Sequence, residues 1–192
     1  MVGAAPEGNV SFRPMVDADI EMMQRWLRQA HVQQWWKDPS APDKVEEEHR
    51  DRVRGKDLTE LLIIGWHGRD IGLIQRYRLD DEPEWARAIA GSGLTFPHGA
   101  GIDYAIGESA LIGRGLGTAV VQAFSAEVFA VYPDVEVIVV TPQAGNRASC
   151  RVLEKAGYEL VWTGLLDSED PSDAGPAAMY VLRRIDAGGS ST

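Results

Sequence analysis

The spacing of hydrophobic residues along the chain predicts alternating strands and helices. Residues 10–15 form a short alternating run typical of a strand, and the apolar positions from Ile20 to Leu27 recur at helical spacing. We expect this first helix to run to about Gln29, with Asp17 as its N-cap, and to cover one face of a sheet. A second helix is predicted over residues 43–54, where charges of both signs at helical spacing are typical of a solvated face.

The middle of the chain predicts a hairpin followed by an irregular segment. Two β runs, residues 60–66 and 70–79, are separated by a short connection that contains Gly68 and suits an antiparallel turn. Residues 80–99 break the alternation with acidic side chains and a short helix-compatible piece around Trp85. We therefore expect this segment to cross the surface.

The second half of the chain predicts strand, helix, strand and helix, followed by two strands. Because a helix connects the first two of these strands, we expect them to be parallel neighbours. The predicted architecture is α/β in the sense of mixed α+β, with a helix-flanked mixed sheet in one domain over residues 10–184 and disordered tails at residues 1–9 and 185–192. The predicted elements are strands 102–106 and 135–140, helices 115–129 and 146–156, and closing strands 158–165 and 178–184.

Composition restricts the partners and the compartment. The 192 residues include 29 acidic and 19 basic side chains, for a formal charge of −10, so the field of the protein repels nucleic acid and anionic membrane and attracts small cations. Cys150 is the lone cysteine, and the sequence shows neither a secretion signal nor an apolar stretch of about 18 residues. We expect a soluble cytoplasmic protein, a monomer or homodimer, with a cationic small-molecule partner and no nucleic-acid or membrane partner.

Alternating glycines mark a candidate anion site at residues 112–118, between a predicted strand and a predicted helix. Gly113, Gly115 and Gly117 would let the backbone approach a ligand closely, and the following helix N-terminus offers N–H groups and a partial positive charge. A pyrophosphate fits such a site, although a glycine-rich turn without a ligand can have the same sequence. The run lacks the Gly-Lys-Ser/Thr ending of a Walker loop and does not follow the first strand of a βαβ unit, as a dinucleotide fingerprint would.

Together with a second motif, this run resembles the acyl-CoA loop of the GNAT acyltransferase superfamily. Arg114 precedes Gly115 and Gly117 in the two small positions, Asn146 opens the later helix, and Gly157 closes it. The resemblance implies a GNAT-like domain with a mostly antiparallel mixed sheet, one parallel pair splayed around the acyl-CoA site, and acetyl-CoA as co-substrate. The implied cofactor contacts are Tyr104, Ala105, Ile106, Ile112, Gly113, Arg114, Gly115, Leu116, Gly117, Thr118, Asn146, Ala148 and Arg151.

Within that superfamily, the chain from about residue 10 to 184 most resembles the aminoglycoside 6′-N-acetyltransferases. The matching positions are Trp35-Trp36, then Gly72, Gln75 and Tyr77, then Gly101-Ile102-Asp103, and finally Gly175-Pro176-Ala177 before Tyr180. The resemblance implies acetyl transfer to a primary amine. Tyr77 could instead pack on the sheet, and Trp26 and Leu27 are expected in the core. The expected substrate contacts are Trp35, Trp36, Gln75, Tyr77, Trp85, Asp103 and Thr141.

Asp103 is the candidate catalytic residue. An amine substrate arrives protonated, so a base must remove a proton before nitrogen can attack the thioester. A carboxylate beside the ammonium group both holds it electrostatically and accepts the proton, directly or through water. The alternative role is that of a surface or capping aspartate. Backbone N–H groups near Ile112 or Tyr104 could polarise the thioester carbonyl.

Two acidic loops suggest the class of acceptor. The members of the first are Asp80, Asp81, Glu82 and Glu84, beside Trp85, and those of the second are Asp167, Glu169, Asp170 and Asp173. If both loops converge above Asp103, they form an anionic cleft for a polyamine-like sugar, with a tryptophan stacking on its apolar face. If they do not, they are ordinary solvated charge runs.

Several positions depart from the family pattern and leave alternatives open. Ile112 replaces the usual Gln or Arg of the loop, Thr141 replaces a substrate-binding aspartate, and Leu153 replaces a tyrosine that protonates the leaving thiolate. A siderophore-type N-acyltransferase, with longer acyl-CoA donors and a hydroxylamine-bearing lysine acceptor, is therefore a second hypothesis, and a catalytically silent binding module is a third. We expect no metal site, because the histidines are widely separated. Cys150 is expected in the core.

Overall fold

A seven-stranded mixed sheet forms the centre of the computed structural model, which describes residues 10–37, 53 and 56–185. The strand order is β1-β2-β3-β4-β5-β7-β6, and every pairing is antiparallel except that of β4 with β5. The mixed sheet with one parallel pair confirms the predicted fold class. The strands are β1 Val10–Pro14, β2 Glu60–Trp66, β3 Arg69–Arg78, β4 Gly99–Ile106, β5 Val137–Val140, β6 Glu159–Gly164 and β7 Ala177–Arg183.

Helices pack on both faces of the sheet. The described α-helices are α1 Ile20–Leu27, α2 Ala30–Gln33, α3 Pro83–Ala90, α4 Leu116–Val131 and α5 Arg147–Ala156. The helix predicted over residues 43–54 lies outside the described residues, apart from Val53, and so do residues 1–9 and 186–192 of the predicted tails. No helix of the described segments is long and apolar enough to cross a membrane.

The alternation of side chains along β2 and β3 divides the core between the two faces. Leu62 and Ile64 point to the face covered by α4 and α5, where the largest apolar cluster lies around Phe124. Their neighbours Leu61 and Ile63 point to the opposite face and pack with α1. Each fully buried aliphatic or aromatic side chain contributes about 1.5–3 kcal/mol of transfer free energy, so both faces stabilise the sheet.

The face opposite α4 and α5 carries two separate apolar clusters instead of one. The first surrounds α1 and includes Leu73, while the second lies beneath α3 and includes Tyr77. Gln75 falls between these two residues on the same face of β3, since side chains of a strand alternate. A polar position therefore lies in the gap between the two clusters.

The parallel pair is short. Only Gly99, Ala100 and Gly101 of β4 pair with β5, although β4 continues to Ile106. Beyond Gly101, the β5 side of β4 has no strand beside it in the described sheet. The two strands therefore open a gap in the middle of the sheet, as the resemblance implied.

The first helix begins differently from the prediction. Asp17 is not the N-cap of an α-helix, because residues Asp17–Asp19 form a 3-10 turn and α1 starts at Ile20 and ends at Leu27, before Gln29. The Asp19 carboxylate accepts a hydrogen bond from the Val16 N–H at 3.0 Å and two from Arg13. Asp19 directly precedes α1, but its carboxylate is used by Arg13 and Val16 and caps no N–H group of this helix.

Several other boundaries were wrong by a few residues. The strand predicted from residue 102 starts at Gly99, inside the segment assigned to the surface, because its first residues pair with β5. The β5 strand starts at Val137 instead of residue 135, and α4 ends at Val131 instead of residue 129. The periodicity of hydrophobic residues along the chain does not reveal such strand pairings, because they depend on a strand distant in sequence.

The close approach of Gly107 to the buried Trp26 ring gives a stability prediction. A Cβ at position 107 would lie 2.1 Å from Trp26 Cγ. We expect Gly107→Ala to lower the free energy of unfolding by about 1–3 kcal/mol, because the indole must move within a packed core. At Gly145 a Cβ would meet the Trp35 ring at 3.6 Å, an ordinary contact distance, so Gly145→Ala should change stability by less than about 0.5 kcal/mol. Denaturant unfolding of both variants checks the prediction, and equal destabilisation would contradict it.

Candidate active site

A cavity of about 1180 Å³ lies where β4 and β5 separate. It reaches both faces of the sheet, because its walls include Asp103 and its neighbour Tyr104, whose side chains point to opposite sides of β4. Pockets for small molecules have volumes of about 300–1,000 Å³, so this one has room for a large ligand or for two. The predicted site residues in its walls are Trp35, Trp36, Gln75, Tyr77, Trp85, Asp103, Tyr104, Ala105, Ile106, Ile112, Gly113, Gly115, Gly117, Thr118, Thr141, Asn146, Ala148 and Arg151.

Asp103 lies between the two apolar clusters on the face of the sheet opposite α4 and α5. It is opposite Gln75 in the pairing of β3 with β4. Gln75 Nε2 donates to Asp103 Oδ2 at 2.9 Å, which fixes the orientation of the carboxylate. The neighbours of Asp103 on the same face are the small residues Gly101, against which the Tyr77 ring packs, and Ala105. The Asp103 side chain is half-buried and belongs to the cavity wall.

Tyr77 is a core residue whose ring also reaches the cavity wall. Its ring packs in the core, because a Cβ at Gly101 would lie 2.3 Å from ring atoms, and it also lines the cavity. Burial raises the pKa of Tyr77 well above its ordinary value, as do the nearby carboxylates of Asp103, Glu82 and Asp173 in that order, while the Trp85 side chain acts in the opposite direction through hydrogen bonding. The phenol therefore stays protonated and lies in the field of carboxylates from both acidic loops.

The acidic loops meet at the same cavity. Glu82 and Glu84 come from the segment before and within α3, and the later loop contributes four further carboxylates. The pKa of Asp173 is raised, chiefly because burial disfavours its charged form, and a hydrogen bond from Ser168 at 2.6 Å partly offsets this effect. The carboxylates in the cavity wall, beside the basic residues Lys37 and Arg87, are Glu82, Glu84, Asp103, Asp167, Glu169, Asp170 and Asp173.

Asp80 and Asp81 of the first loop lie elsewhere. Neither lines the cavity, and Asp80 lies 3.4 Å from the His98 ring. These two residues match the solvated alternative, whereas the other members of both loops converge on the cavity.

Hydrogen bonds join distant segments of the cavity wall. Ser172 Oγ accepts from the Lys37 N–H at 3.0 Å and donates to the Lys37 carbonyl at 3.2 Å. The Ser172 carbonyl accepts from Gln143 Nε2 at 2.5 Å. The Trp35 ring lies next to Gly145 in the same region. We call these contacts of Lys37, Gln143 and Ser172 the roof bridge.

The glycine run forms a turn into the N-terminus of α4, on the face opposite Asp103. Gly113 and Gly115 have φ angles of 76° and 81°, in the left-handed region that glycine adopts without strain. The first N–H groups of a helix have no carbonyl one turn back, so those of α4 remain available to a ligand. Two predicted contact residues do not line the cavity, because Arg114 is exposed outside it and Leu116 is buried in the main core.

The start of α5 forms the adjoining wall. Asn146 Oδ1 accepts from the Ser149 N–H at 3.1 Å, so Asn146 is the N-cap of this helix. Arg151 and Lys155 follow one turn apart, line the cavity, and pair with no carboxylate of the described residues. Arg151, Lys155 and the first N–H groups of α4 therefore occupy one end of the cavity, and the carboxylates, with Lys37 and Arg87 among them, occupy the other.

Sequence reasoning missed some residues of the site. Lys155 lies within the motif that closes α5, but its position in the cavity depends on helical spacing from Arg151. The Tyr104 hydroxyl lies 2.8 Å from Ser149 Oγ, a contact across 45 positions that no local pattern signals. Cys150 and Leu153 are buried beside them in the core. Within the described ranges, no group of three or more His, Cys, Asp or Glu side chains is placed to hold a metal ion.

Comparison with known proteins supplies relatives with related chemistry. The chain is 29% identical over 181 residues to an aminoglycoside N(6′)-acetyltransferase type 1 of Klebsiella pneumoniae, covering 92% of this chain and 84% of the relative. It is 28% identical over 141 residues to the lysine N-acyltransferase MbtK of Mycobacterium sp. (strain MCS), covering 73% of this chain and 55% of the relative.

The structural comparison agrees with the sequence comparison. The aminoglycoside acetyltransferase AAC(6′)-Ib, solved in complex with coenzyme A and kanamycin, superposes with a TM-score of 0.73 at 28% identity, covering 92% of this chain and 95% of that one. The family model described as an acetyltransferase (GNAT) domain matches residues 15–163. The chain therefore belongs to the GNAT acetyltransferase family.

Proposed function

We propose that the protein transfers an acetyl group from acetyl-CoA to a primary amine of a polycationic small molecule, with the 6′-amine of an aminoglycoside as the leading candidate. The observation that carries this proposal is the division of charge in one cavity that crosses the sheet. Arg151, Lys155 and the first N–H groups of α4 lie at the α4 and α5 end, whereas seven carboxylates, accompanied by only two basic side chains, lie at the other. An anionic donor and a cationic acceptor would thus meet at the gap between β4 and β5.

The basic end suits the phosphates of coenzyme A. Backbone N–H groups at a helix N-terminus bind phosphate oxygens, and Gly113 and Gly115 allow the backbone to come close. Arg151 and Lys155 add positive charge without internal carboxylate partners among the described residues. This donor set needs no side chain at position 112, where the chain has isoleucine.

The acidic end supplies the base and the binding field for the amine. Asp103, oriented by Gln75, would hold the ammonium group and accept one of its protons, directly or through water. The free amine then attacks the thioester carbonyl, the C–S bond breaks, and its electron pair leaves with the CoA sulfur. The nitrogen loses its second proton to water or Asp103 as the amide forms. Trp85 and Trp35 offer flat surfaces for the apolar faces of a sugar.

Relatives of the chain support the aminoglycoside candidate and one alternative. The AAC(6′)-Ib structures hold kanamycin, ribostamycin or paromomycin. The 28% identity to a lysine N-acyltransferase favours a second candidate, N-acylation of a modified lysine with a longer acyl-CoA. Thiol release measured with acetyl and long-chain donors, across aminoglycosides, polyamines and lysine derivatives, separates the two. A strict requirement for long donors would select the second candidate, and binding without release would indicate a silent module.

Asp103→Asn tests the base. We expect a fall in kcat/KM for the amine of about 10²-fold or more at neutral pH, because an amide cannot accept the ammonium proton. The matched control is Asp80→Asn, which removes a carboxylate outside the cavity and should keep the wild-type rate. Steady-state thiol release reports both rates. A wild-type rate in Asp103→Asn would remove Asp103 from the mechanism.

Gly113→Ala tests the phosphate turn. Alanine at a φ of 76° costs about 1–2 kcal/mol, and relief of that strain moves the N–H groups before α4, so we expect the Kd for coenzyme A to rise about tenfold in calorimetry. Gly93 has a φ of 85°, equally open surroundings and no place in the cavity wall, so Gly93→Ala should lose similar stability with unchanged affinity. Equal affinities of the two variants would disprove phosphate binding by this turn.

Neutralising one carboxylate from each loop tests the preference for polycations. We expect Glu84→Gln with Glu169→Gln to raise KM for a tri- or tetra-amine by up to about fivefold per charge, with little change for a monoamine. The effect should shrink at high salt, since ions screen exposed charges. Asp80→Asn with Asp81→Asn changes the net charge equally outside the cavity and serves as the control. The same KM change in both double variants would mean that net charge, and not the cavity, attracts the acceptor.

A further inference from the structure

A pair of hydroxyl groups lines the cavity on the face opposite Asp103. Tyr104 follows Asp103 on β4, and its hydroxyl lies 2.8 Å from Ser149 Oγ in the first turn of α5. Both residues belong to the cavity wall and both are half-buried. The pair therefore connects β4 to α5 beside the gap between β4 and β5, which acetyl-CoA would cross.

The hydrogen count of the pair leaves one donor available. Two hydroxyl groups bring two hydrogens, and a single hydrogen bond between Tyr104 and Ser149 uses one of them. Whichever oxygen donates, the other hydroxyl keeps a hydrogen for a third partner. The Ser149 backbone N–H is already bound to Asn146, so the helix start that holds the pair is fixed.

Asp103 and Tyr104 lie on opposite sides of the place where the amine would attack the thioester carbon and the sulfur would leave it. Neighbouring side chains of a strand point to opposite faces, so Asp103 faces the acidic end of the cavity and Tyr104 faces the end formed by α4 and α5. The incoming amine would approach from the Asp103 side. The sulfur of the donor would lie towards the phosphate end, on the Tyr104 side.

We propose that the Tyr104 and Ser149 hydroxyl pair donates a hydrogen bond to the sulfur of the departing CoA thiolate, with Ser149 positioning Tyr104. This inference rests on the proposed acetyl transfer. The N–C bond forms, the C–S bond breaks and the electron pair stays on sulfur. The nitrogen loses two protons, one to Asp103 before attack and one as the tetrahedral intermediate collapses, and both pass to solvent. The thiolate takes its own proton from solvent on release, so the pair stabilises charge and undergoes no net proton transfer.

The surroundings of the pair suit a donor that keeps its hydrogen. Burial raises the pKa of the Tyr104 hydroxyl above its ordinary value, and the hydrogen bond with Ser149 partly offsets this effect, so the phenol is protonated at neutral pH. Leu153, one turn further along α5, is fully buried and has no hydrogen to donate. Hydrogen bonds to developing charge in a partly dehydrated site are strong, which is why a neutral donor suffices.

A second tyrosine and serine pair provides a matched control. The Tyr158 hydroxyl lies 2.7 Å from Ser125 Oγ in the same main core, but neither residue lines the cavity. Tyr158→Phe and Tyr104→Phe therefore remove equivalent hydroxyl groups, one from the core alone and one from the cavity. A purely structural role predicts the same consequences for both variants.

Steady-state kinetics with acetyl-CoA is the first test. We expect Tyr104→Phe to lower kcat by about 10²-fold with KM for acetyl-CoA changed less than about twofold, because the lost bond forms only as the thiolate leaves. Ser149→Ala should lower kcat in the same direction, and Ser149→Thr, which keeps a hydroxyl, should restore it. Tyr158→Phe should keep the wild-type kcat. Equal kcat in the Tyr104→Phe and Tyr158→Phe variants would overturn the inference.

Titration of bound coenzyme A gives a readout that does not depend on turnover. The ultraviolet absorbance of the thiolate, followed against pH, yields the pKa of the bound thiol. We expect that pKa to be about one unit lower in the wild type than in Tyr104→Phe, a tenfold change in the thiolate ratio. An unchanged pKa would count against the inference while leaving acetyl transfer intact. Failure of the wild type to bind coenzyme A would instead refute the proposed function.

Discussion

The short pairing of β4 with β5 is the constraint on which the site depends. Backbone polar groups of a strand need hydrogen-bond partners, and a parallel neighbour would ordinarily supply them along the whole length. Here the neighbour departs after Gly101, while β5 continues its pairing with β7 at Val140 and Tyr180. The result is a gap bounded by paired strands on both sides, since β4 keeps its pairing with β3 and β5 keeps its pairing with β7.

Part of this arrangement could be predicted from the sequence, because it follows from local patterns. The hairpin of β2 and β3, the helix after the glycine run and the parallel pair all follow from alternation, turn residues and connection type. The position of Asp103 at the gap came from a family motif. The register that places Gln75 across from Asp103 could not be derived, since it depends on the pairing of two strands 28 positions apart.

Contacts between distant segments explain the remaining differences. Asp17 is the cap that local rules suggest, but Asp17–Asp19 form a 3-10 turn whose Asp19 carboxylate bonds to Arg13 in β1, a contact that no local pattern signals. The acidic loops could be recognised as acidic, but only the folded chain separates Glu82, which reaches the cavity, from Asp80, which does not. Local sequence gives the composition of such loops, whereas their convergence is a property of the tertiary structure.

The roof bridge has a consequence for the cavity wall. Ser172 holds Lys37 through two hydrogen bonds and Gln143 through a third, joining segments that are far apart in the chain. Because Ser172 is common to all three bonds, a shift of its loop would break them together and change the cavity wall at Lys37 and Gln143 at the same time.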